Sequence, residues 1–475
     1  MTAAASELAS RLRAVVGEGH VLTDPALQEA YVRDWTGRWT GGCAMVVRPG
    51  DEQQAADVLA RVSEAGARVV LQGGNTGLVA GAVPEAGDVL LSTTRLSRIG
   101  AVDPVAAVVT VEAGVTLAAL QDAVRPAGLE LAVDLAARES CTLGGMAATN
   151  AGGIRTLSDG SMRSQVVAVD ALDVRGRPLT RMRPLVKDNT GFAMSSLMVG
   201  SEGTLGLMTR LLLRLVPLPD SRAVVLLGLP DVQAAVAALG ALRPRLPGLR
   251  AAELVDRACL ELVVTQTGLP EPLPRRHDVH LLLELAGASG RLAELAEALE
   301  ATGLADDPDV DIAAADDAAG VRSLWAYRDR ISESVSAAGV PHKLDVSLPA
   351  ARTAEFVASC LALLERWPRP GVGALRPFLF GHLGDGNLHL NVLGADLDDD
   401  DLDGAVLRLV AAHDGSISAE HGIGRSKAGW LPLNRDPDEI AAMTALKRAL
   451  DPEGRLGRAV LSLAGGVPLG GSAAR

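Results

Sequence analysis

The chain of 475 residues carries 45 Lys and Arg residues against 58 Asp and Glu residues, a formal net charge of −13. This acidic balance argues against a nucleic-acid binder or a binder of anionic membranes, because both rely on a basic surface. With 48% apolar and 22% charged residues, a globular chain of about two or three domains is expected.

The N-terminal residues 1–42 are predicted to be a helical lead-in. Residues 1–16 are rich in alanine, but Glu7, Arg11 and Arg13 interrupt them, so they lack the apolar run of a signal peptide. No later stretch is long and apolar enough for a transmembrane span. The four cysteines form no CxxC pair, which fits a reduced setting. We therefore predict a cytoplasmic protein, with a peripheral position at the inner face of the membrane as the alternative.

From residue 44 to residue 217, short Val/Leu/Ile-rich runs alternate with helical stretches and glycine-dense turns. This pattern is typical of an α+β or α/β fold. Strands are predicted at Val69–Leu71, Val89–Leu91 and Val108–Glu112, and helices at Glu52–Ala65 and Leu117–Ala127.

The Pro-bearing segment Pro217–Asp220 then breaks the chain, so the first domain is predicted to span residues 1–218. Beyond it, strand candidates Ala223–Leu229, Val279–Leu285 and Val310–Ile312 stand near helical runs, which predicts a small sheet covered by helices. This second domain is expected to span 219–430. A C-terminal segment, 431–475, is expected to pack back on the first domain, with a disordered tail from about residue 465.

Three glycine-rich blocks lie in the first domain: Leu71–Pro84, Ser140–Gly153, and Lys187–Gly191 followed by Gly200–Gly206. Closely spaced glycines let the backbone turn its amides inward, which suits phosphate oxygens, and allow close approach to a large planar ligand. A tight turn would explain one block, but three blocks favour a dinucleotide. Neither GxGxxG at the start of a βαβ unit nor GxxxxGK[ST] occurs in them, so a different dinucleotide fold is required.

Two histidine motifs lie in the second domain, Gly381–Asn391 and Ser416–Gly424. In the first, a Gly-Asp-Gly-Asn turn between two apolar strands would bring His382 and His389 towards one point. A lone histidine in a strand is more often hydrogen-bonded core than ligand. Two histidines around one turn, together with the Glu-His pair of the second motif, instead favour a site for Zn²⁺ or Mn²⁺. The predicted metal ligands are His382, His389 and Glu420.

Together the blocks resemble the vanillyl-alcohol-oxidase-type flavoproteins, and within them the FAD-linked D-2-hydroxyacid dehydrogenases. The resemblance runs from about Asp34 to Pro452 and includes the patterns HxGDGNxHxN and EHG[IV]G. It implies an α+β fold with a vanillyl-alcohol-oxidase-type FAD-binding domain, a ferredoxin-like α+β substrate or cap domain, and a helical C-terminal segment. One departure is Gly454–Arg458, where relatives usually have an Asn-Pro-Gly-Lys-like segment, so the C-terminal return could be altered locally.

The resemblance also implies which residues contact FAD. The block at 71–84 contains no histidine for a covalent flavin link, so dissociable FAD is expected. Cys141 is expected to be a small buried residue rather than an attachment point. The implied FAD contacts are Gly73, Gly74, Asn75, Thr76, Gly77, Ser140, Thr142, Gly144, Gly145, Thr149, Asn150, Gly203 and Leu205.

Substrate contacts are implied for Arg328, Ser332, Lys343 and Asn391, with serine at 332 where the family usually has threonine. Without this context, Arg328 and Lys343 would be taken for surface charges. Arginine offers a carboxylate two parallel hydrogen bonds, and lysine adds a point charge. A metal on the substrate hydroxyl would lower its pKa, so that His421 can accept the proton while hydride passes to flavin N5.

The favoured reaction is oxidation of (R)-2-hydroxyglutarate to 2-oxoglutarate, because two basic groups suggest a second substrate carboxylate. D-Lactate or glycolate oxidation is the first alternative. An ether-lipid-type synthase would not need the metal cluster, and a catalytically silent FAD-fold subunit of a larger oxidase complex is the non-enzyme alternative. The electron acceptor stays open among an electron-transfer flavoprotein, a quinone, a cytochrome and oxygen, and a homodimer is a further candidate assembly.

Overall fold

The computed structural model describes residues 2–183, 185–367, 374–397 and 399–457. The chain divides into two compact units. The first consists of Met1–Gly152, Gly160–Leu218 and Glu420–Arg475, and the second consists of Gly153–Asp159 and Pro219–Ala419. The expected disordered tail from about residue 465 lies outside the described residues. Among the described residues, no helix has the length and apolar character needed to cross a membrane.

The strands are given in chain order: β1 (Val21–Leu22), β2 (Met45–Val47), β3 (Val69–Gln72), β4 (Val89–Ser92), β5 (Ile99–Asp103), β6 (Val108–Glu112), β7 (Leu129–Glu130), β8 (Val166–Leu172), β9 (Pro178–Thr180), β10 (Leu207–Arg214), β11 (Val216–Pro217), β12 (Ser221–Leu229), β13 (Leu249–Asp256), β14 (Val279–Gly287), β15 (Asp311–Ala315), β16 (His342–Ser347), β17 (Arg376–His382) and β18 (Asn387–Leu393).

The α-helices are likewise given in chain order: α1 (Ala3–Val16), α2 (Pro25–Val32), α3 (Glu52–Glu64), α4 (Leu117–Val124), α5 (Leu143–Thr149), α6 (Thr156–Asp159), α7 (Met162–Gln165), α8 (Met194–Met198), α9 (Val232–Leu242), α10 (Arg257–Thr267), α11 (Arg291–Ala301), α12 (Ala318–Asp329), α13 (Ile331–Ala338), α14 (Thr353–Glu365), α15 (Asp400–Ala412) and α16 (Pro437–Leu450). Short 3₁₀ helices lie at Glu18–His20, Arg125–Ala127, Arg243–Arg245, Ala350–Arg352 and Ala428–Leu433.

The first unit contains three sheets. Their strand orders are β1-β2-β4-β3, β5-β6-β10-β8-β9 and β11-β7. In the first sheet β2, β4 and β3 run parallel, whereas all pairings of the second sheet are antiparallel.

Helix α3 shows how the sequence specifies an element of this unit. Asp51 caps its first turn by accepting a hydrogen bond from the Gln54 amide at 2.8 Å. Its buried residues recur at helical spacing and pack into the core: Ala55, Val58, Leu59 and Val62.

The C-terminal part of the first unit joins its parallel sheet. The Val69 amide donates to the Arg455 carbonyl at 2.9 Å, and Val69 forms a parallel bridge with Leu456, which is fully buried. The Asp451 carboxylate organises this turn by accepting hydrogen bonds from the amides of Arg455 and Leu456. The segment that departs from the family pattern thus still pairs with β3.

The second unit is built on one antiparallel sheet with the strand order β15-β12-β14-β13-β17-β18-β16. Strands β12 and β14 are buried almost throughout, because helices α9, α11 and α12 pack on them. A hydrophobic cluster packs α10, α12 and α13 against β13, β17 and β18 through residues such as Val255, Tyr327 and Phe380. The mixture of helices and sheets confirms the α+β class expected from the sequence.

Candidate active site

The first two glycine blocks are in direct backbone contact within the first unit. A side chain at Gly74 would collide with the carbonyl oxygen of Ser140, and one at Gly73 would collide with the Thr142 hydroxyl. Asn75 adopts a left-handed conformation with φ of 55°, and its side-chain amide donates to the Arg33 carbonyl at 2.8 Å. These contacts explain why the loop after β3 requires glycine and asparagine.

The second block forms the short helix α5. Its cap, Thr142, accepts a hydrogen bond from the Gly145 amide at 3.3 Å, and the Thr149 hydroxyl donates to the Gly145 carbonyl at 3.2 Å. Gly144 lies so close to Ala113 that a side chain would collide with it. Asn150 ends the helix in a left-handed conformation with φ of 52°. Small residues therefore let this helix pack tightly against the neighbouring strand.

The third block packs on the second. The Gly200 amide donates to the Ala147 carbonyl at 2.9 Å, and the Glu202 amide donates to the Ala148 carbonyl at 2.8 Å. Gly203 follows with φ of +70°, beside the Leu71 side chain of the strand that leads into the first block. Leu205 is buried in the core of the unit. The three blocks, far apart along the chain, are thereby gathered in one region of the first unit.

Glu202 anchors the loop that follows His421. Its carboxylate accepts hydrogen bonds from the amides of Ile423 at 2.9 Å and Gly424 at 2.8 Å. Burial raises the pKa of Glu202, an effect that the two amide donors oppose. The Arg425 amide donates to the Val79 carbonyl at 2.9 Å, so the same loop is also fixed to the first glycine block. The sequence analysis did not identify this anchoring role of Glu202.

The glycine blocks fit a dinucleotide. Gly73 and Gly74 are pressed against the second block, whereas an added side-chain carbon at Gly77 would meet no atom within 4 Å. The loop from 73 to 77 carries no carboxylate that would repel a diphosphate. Backbone amides in a glycine-walled loop with an open side are suited to phosphate oxygens. The residues present therefore fit FAD.

In the second unit, one face of neighbouring strands collects the residues of the histidine motif. Directly paired residues of antiparallel strands point to the same side of a sheet, and alternate residues share that side. Glu253 pairs with His382, His382 with Asn387, and Asn387 with Ser347. Two residues further along each strand, the next row on this face consists of Val255, Phe380, His389 and Asp345. The third row consists of Phe378, Asn391 and Lys343.

Each predicted metal histidine has a carboxylate beside its Nδ1 atom. His382 Nδ1 lies 2.7 Å from a carboxylate oxygen of Glu253, and His389 Nδ1 lies 3.4 Å from one of Asp345. The two imidazole rings stand edge to face with their centroids 5.2 Å apart. The hairpin β17–β18 therefore brings the two histidine rings close to each other.

Asp345 links several parts of this region, and the sequence analysis missed it. One of its oxygens accepts a hydrogen bond from the Asn387 side-chain amide at 2.8 Å, and the other accepts from the Ala419 amide at 3.1 Å. Glu420 follows Ala419 directly in the sequence. The side chain of Asp345 is only 1% exposed. A buried acid in a short strand next to a predicted substrate lysine is the signal that could have revealed it.

A close carboxylate–imidazole pair occurs in each of the two units: Asp345 with His389 in the second, and Glu420 with His421 in the first. The ligand atoms of Asp345 and His389 lie within 4.8 Å of each other, and so do those of Glu420 and His421. His421 Nε2 stands 3.8 Å from a Glu420 oxygen. Imidazole nitrogen with carboxylate oxygen is a donor set suited to Zn²⁺ or Mn²⁺. The chemistry of these donors fits a divalent transition metal.

The predicted substrate residues differ in their surroundings. Arg328 is buried, donates from Nε to Glu253 at 2.6 Å, and places its guanidinium carbon 4.7 Å from the Phe380 ring centroid. Asn391 is buried and pairs with the partly buried Lys343 across β18 and β16. Ser332, one helical turn beyond Arg328, is exposed in α13.

Comparisons with known proteins agree with these features. Residues 43–180 match the family model described as an FAD binding domain, and residues 218–460 match that of the C-terminal domain of FAD linked oxidases. The mitochondrial D-2-hydroxyglutarate dehydrogenase of Bos taurus is 35% identical over 453 residues, covering 92% of this chain and 80% of that protein. The D-2-hydroxyglutarate dehydrogenase of Xanthomonas citri is 36% identical, covering 90% of this chain and 91% of that protein.

Two solved structures share the fold. A p-cresol methylhydroxylase with substrate bound has a TM-score of 0.78 at 15% identity, covering 98% of this chain and 99% of that chain. An alkyldihydroxyacetonephosphate synthase has a TM-score of 0.73 at 14% identity, covering 95% and 84% respectively. Identities this low establish the architecture alone, and they confirm the vanillyl-alcohol-oxidase-type fold.

The fold, the glycine blocks and the matched domains define an FAD-binding oxidoreductase. More particularly, the chain belongs to the family of FAD-linked oxidases that includes the D-2-hydroxyglutarate dehydrogenases.

Proposed function

We propose that the protein oxidises a D-2-hydroxyacid to the 2-oxoacid, with (R)-2-hydroxyglutarate as the preferred substrate. The observation that carries the proposal is the sheet face on which Asp345, His389, Asn391 and Lys343 lie on adjacent rungs of β16 and β18. The relatives named D-2-hydroxyglutarate dehydrogenase cover most of the chain, which supports the same reaction class.

The substrate contacts are proposed from charge. Arg328 is held at Nε by Glu253, and its terminal nitrogens form no hydrogen bond within the described residues. Those two nitrogens can pair with a carboxylate in a bidentate manner. Lys343 would add a second positive charge and Asn391 an amide donor, while Ser332 would contribute a hydroxyl. Two cations for one substrate favour a dicarboxylate over lactate.

We further propose that His382, His389 and Glu420 hold a divalent metal, Zn²⁺ or Mn²⁺. Asp345, which lies beside His389, is an additional candidate ligand. When bound, a divalent cation stabilises the negative charge that develops on the substrate oxygen as its proton leaves.

His421 is the proposed general base. Its loop is fixed by the hydrogen bonds of Glu202 to Ile423 and Gly424, which would hold the imidazole in one position. A neutral imidazole can accept the hydroxyl proton of the substrate. FAD held by the glycine blocks would supply a two-electron acceptor, and loss of the hydroxyl proton and of a hydride from the substrate carbon together yields the 2-oxoacid.

The flavin is proposed to bind non-covalently through the three glycine blocks, with contacts from Gly73 to Gly77, from Ser140 to Asn150, and from Gly203 and Leu205. Reoxidation is assigned to a separate acceptor: an electron-transfer flavoprotein, a quinone or a cytochrome. A cytoplasmic location, peripheral to the inner face of the membrane in the case of a quinone, would accommodate these acceptors, and a homodimer is compatible with them.

D-Lactate is the second candidate substrate, since a provisionally named D-lactate dehydrogenase of Schizosaccharomyces pombe is 34% identical over 91% of this chain. Anaerobic reduction of the purified flavoprotein by a panel of D- and L-2-hydroxyacids decides between them. We expect rapid bleaching of the visible flavin band by (R)-2-hydroxyglutarate, slower bleaching by D-lactate, and none by the L-enantiomers. Faster bleaching by D-lactate would assign the lactate reaction, and no bleaching by any hydroxyacid would refute the proposed oxidation.

A further inference from the structure

The inference concerns Glu253, a glutamate in the middle of β13. Its side chain has no exposed surface, and its neighbours Ala252, Leu254 and Val255 are apolar. Burying a carboxylate in such a strand is strongly unfavourable unless the carboxylate is paired. A well-packed apolar residue would serve the sheet equally well, so pairing is the feature that requires explanation.

Glu253 pairs with two residues already assigned to the site. One oxygen lies 2.7 Å from His382 Nδ1, and the other accepts from Arg328 Nε at 2.6 Å. The two partners come from different elements, β17 and α12, and the carboxylate hydrogen-bonds to both of them.

We infer that Glu253 is a positioning residue that fixes the tautomer of His382 and the orientation of Arg328, and so links metal binding to substrate binding. This inference rests on the proposed function. A carboxylate beside Nδ1 keeps the proton on that nitrogen, so the ring presents the lone pair of Nε2 to a cation. The same carboxylate occupies Nε of Arg328, so the paired terminal nitrogens are the ones directed to an anion.

The charges lead to the same conclusion. The negative charge of Glu253 balances Arg328, which would otherwise stand as a buried cation near a site proposed to bind a divalent metal. Loss of the carboxylate would therefore weaken metal binding in two ways. It would free the His382 tautomer, and it would leave an uncompensated positive charge.

The test compares Glu253→Gln with a matched control, Glu284→Gln. Glu284 is also a buried carboxylate on the neighbouring strand β14, and it accepts from Trp325 Nε1 at 2.9 Å and lies 3.5 Å from Arg222 and Arg155. None of these three partners is assigned to the metal or the substrate. Zn²⁺ affinity is measured by competition with a chromophoric chelator well below the melting temperature of each variant, and KM for (R)-2-hydroxyglutarate is measured in parallel.

We expect Glu253→Gln to bind Zn²⁺ about 10- to 100-fold more weakly than wild type and to raise KM, whereas Glu284→Gln keeps wild-type Zn²⁺ affinity. Equal Zn²⁺ affinity in wild type and Glu253→Gln would overturn the inference while leaving the proposed function intact. A wild-type protein that binds no Zn²⁺ or Mn²⁺ would overturn both. If Glu253→Gln does not fold, Glu253→Asp replaces it, because this shorter acid keeps the charge but cannot span both partners. Unchanged Zn²⁺ affinity in that variant would also refute the role.

Discussion

At the scale of single residues, the close backbone contacts of the glycine blocks are a feature that sequence can indicate, whereas their binding of FAD stays a prediction. Their function depends on backbone geometry, and glycine is itself the signal of that geometry. The collision that a side chain at Gly74 would make with Ser140 gives the physical reason. The buried acids Glu253 and Asp345 were missed because each owes its role to partners distant in sequence, such as His382, which lies 129 positions from Glu253.

Gly74→Ala should abolish FAD retention, because the methyl group would collide with the Ser140 carbonyl and separate the two glycine blocks. The ratio of flavin to protein after gel filtration measures the effect. Gly19→Ala is the control in the same unit, at a glycine that is not a proposed FAD contact, where a side chain meets no atom within 4 Å and no strained conformation is required. Equal flavin content in Gly74→Ala and wild type would contradict the close contact of the blocks.

Asp256 should make stability depend on pH. Asp256 caps α10 and accepts hydrogen bonds from the amides of Cys259 and Leu379. Burial raises its pKa to about 6, although these two amide donors act to lower the pKa. A carboxyl whose pKa is raised on folding stabilises the protein most at low pH, and this contribution is lost as pH rises from about 4 to about 6.

Relative to Asp256→Asn, the wild-type free energy of unfolding should therefore decrease by up to about 3 kcal/mol between pH 4 and pH 6 and stay level above. Urea unfolding at a series of pH values measures both proteins. A difference that increases with pH across this window would show that the pKa of Asp256 is lowered instead.

At the scale of elements, local sequence patterns predicted the helices and strands that have a clear hydrophobic periodicity or a capping residue. The predicted helix Glu52–Ala65 is observed at Glu52–Glu64, and the predicted strand Val69–Leu71 at Val69–Gln72. The predicted helix Leu117–Ala127 ends as an α-helix at Val124 and continues as a 3₁₀ turn, because Pro126 cannot supply an amide donor. Strand β13 had no local signal, since its alanines and buried glutamate become strand-like only between β14 and β17.

Leu59→Ala should test the buried face of α3. Leu59 has no exposed surface and packs in the core of the first unit, so its truncation should lower the free energy of unfolding by about 2–5 kcal/mol. Leu27→Ala in α2, where the side chain is 57% exposed, should change it by less than about 1 kcal/mol. Chemical denaturation of both variants gives the comparison, and a loss at Leu59 no greater than at Leu27 would refute the assigned core.

At the scale of the whole molecule, the two compact units do not coincide with two continuous stretches of the chain. The larger part of the second unit runs from Pro219 to Ala419, and Glu420–Arg475 are assigned to the first unit. The short segment Gly153–Asp159 also belongs to the second unit, and Arg155 reaches Glu284 while Asp159 pairs with Arg250. Two ion pairs formed with residues about a hundred positions away leave no local trace in composition, so no sequence pattern could assign this segment.

The central claim is that substrate oxidation by this flavoprotein requires a divalent metal held by histidine and carboxylate ligands. The most direct test is the rate of anaerobic flavin reduction by (R)-2-hydroxyglutarate after exhaustive chelation, with metal content and flavin content measured on the same sample. We predict that reduction stops while FAD stays bound, and that added Zn²⁺ or Mn²⁺ restores it. Full-speed flavin reduction in a sample shown to contain no metal would contradict the account.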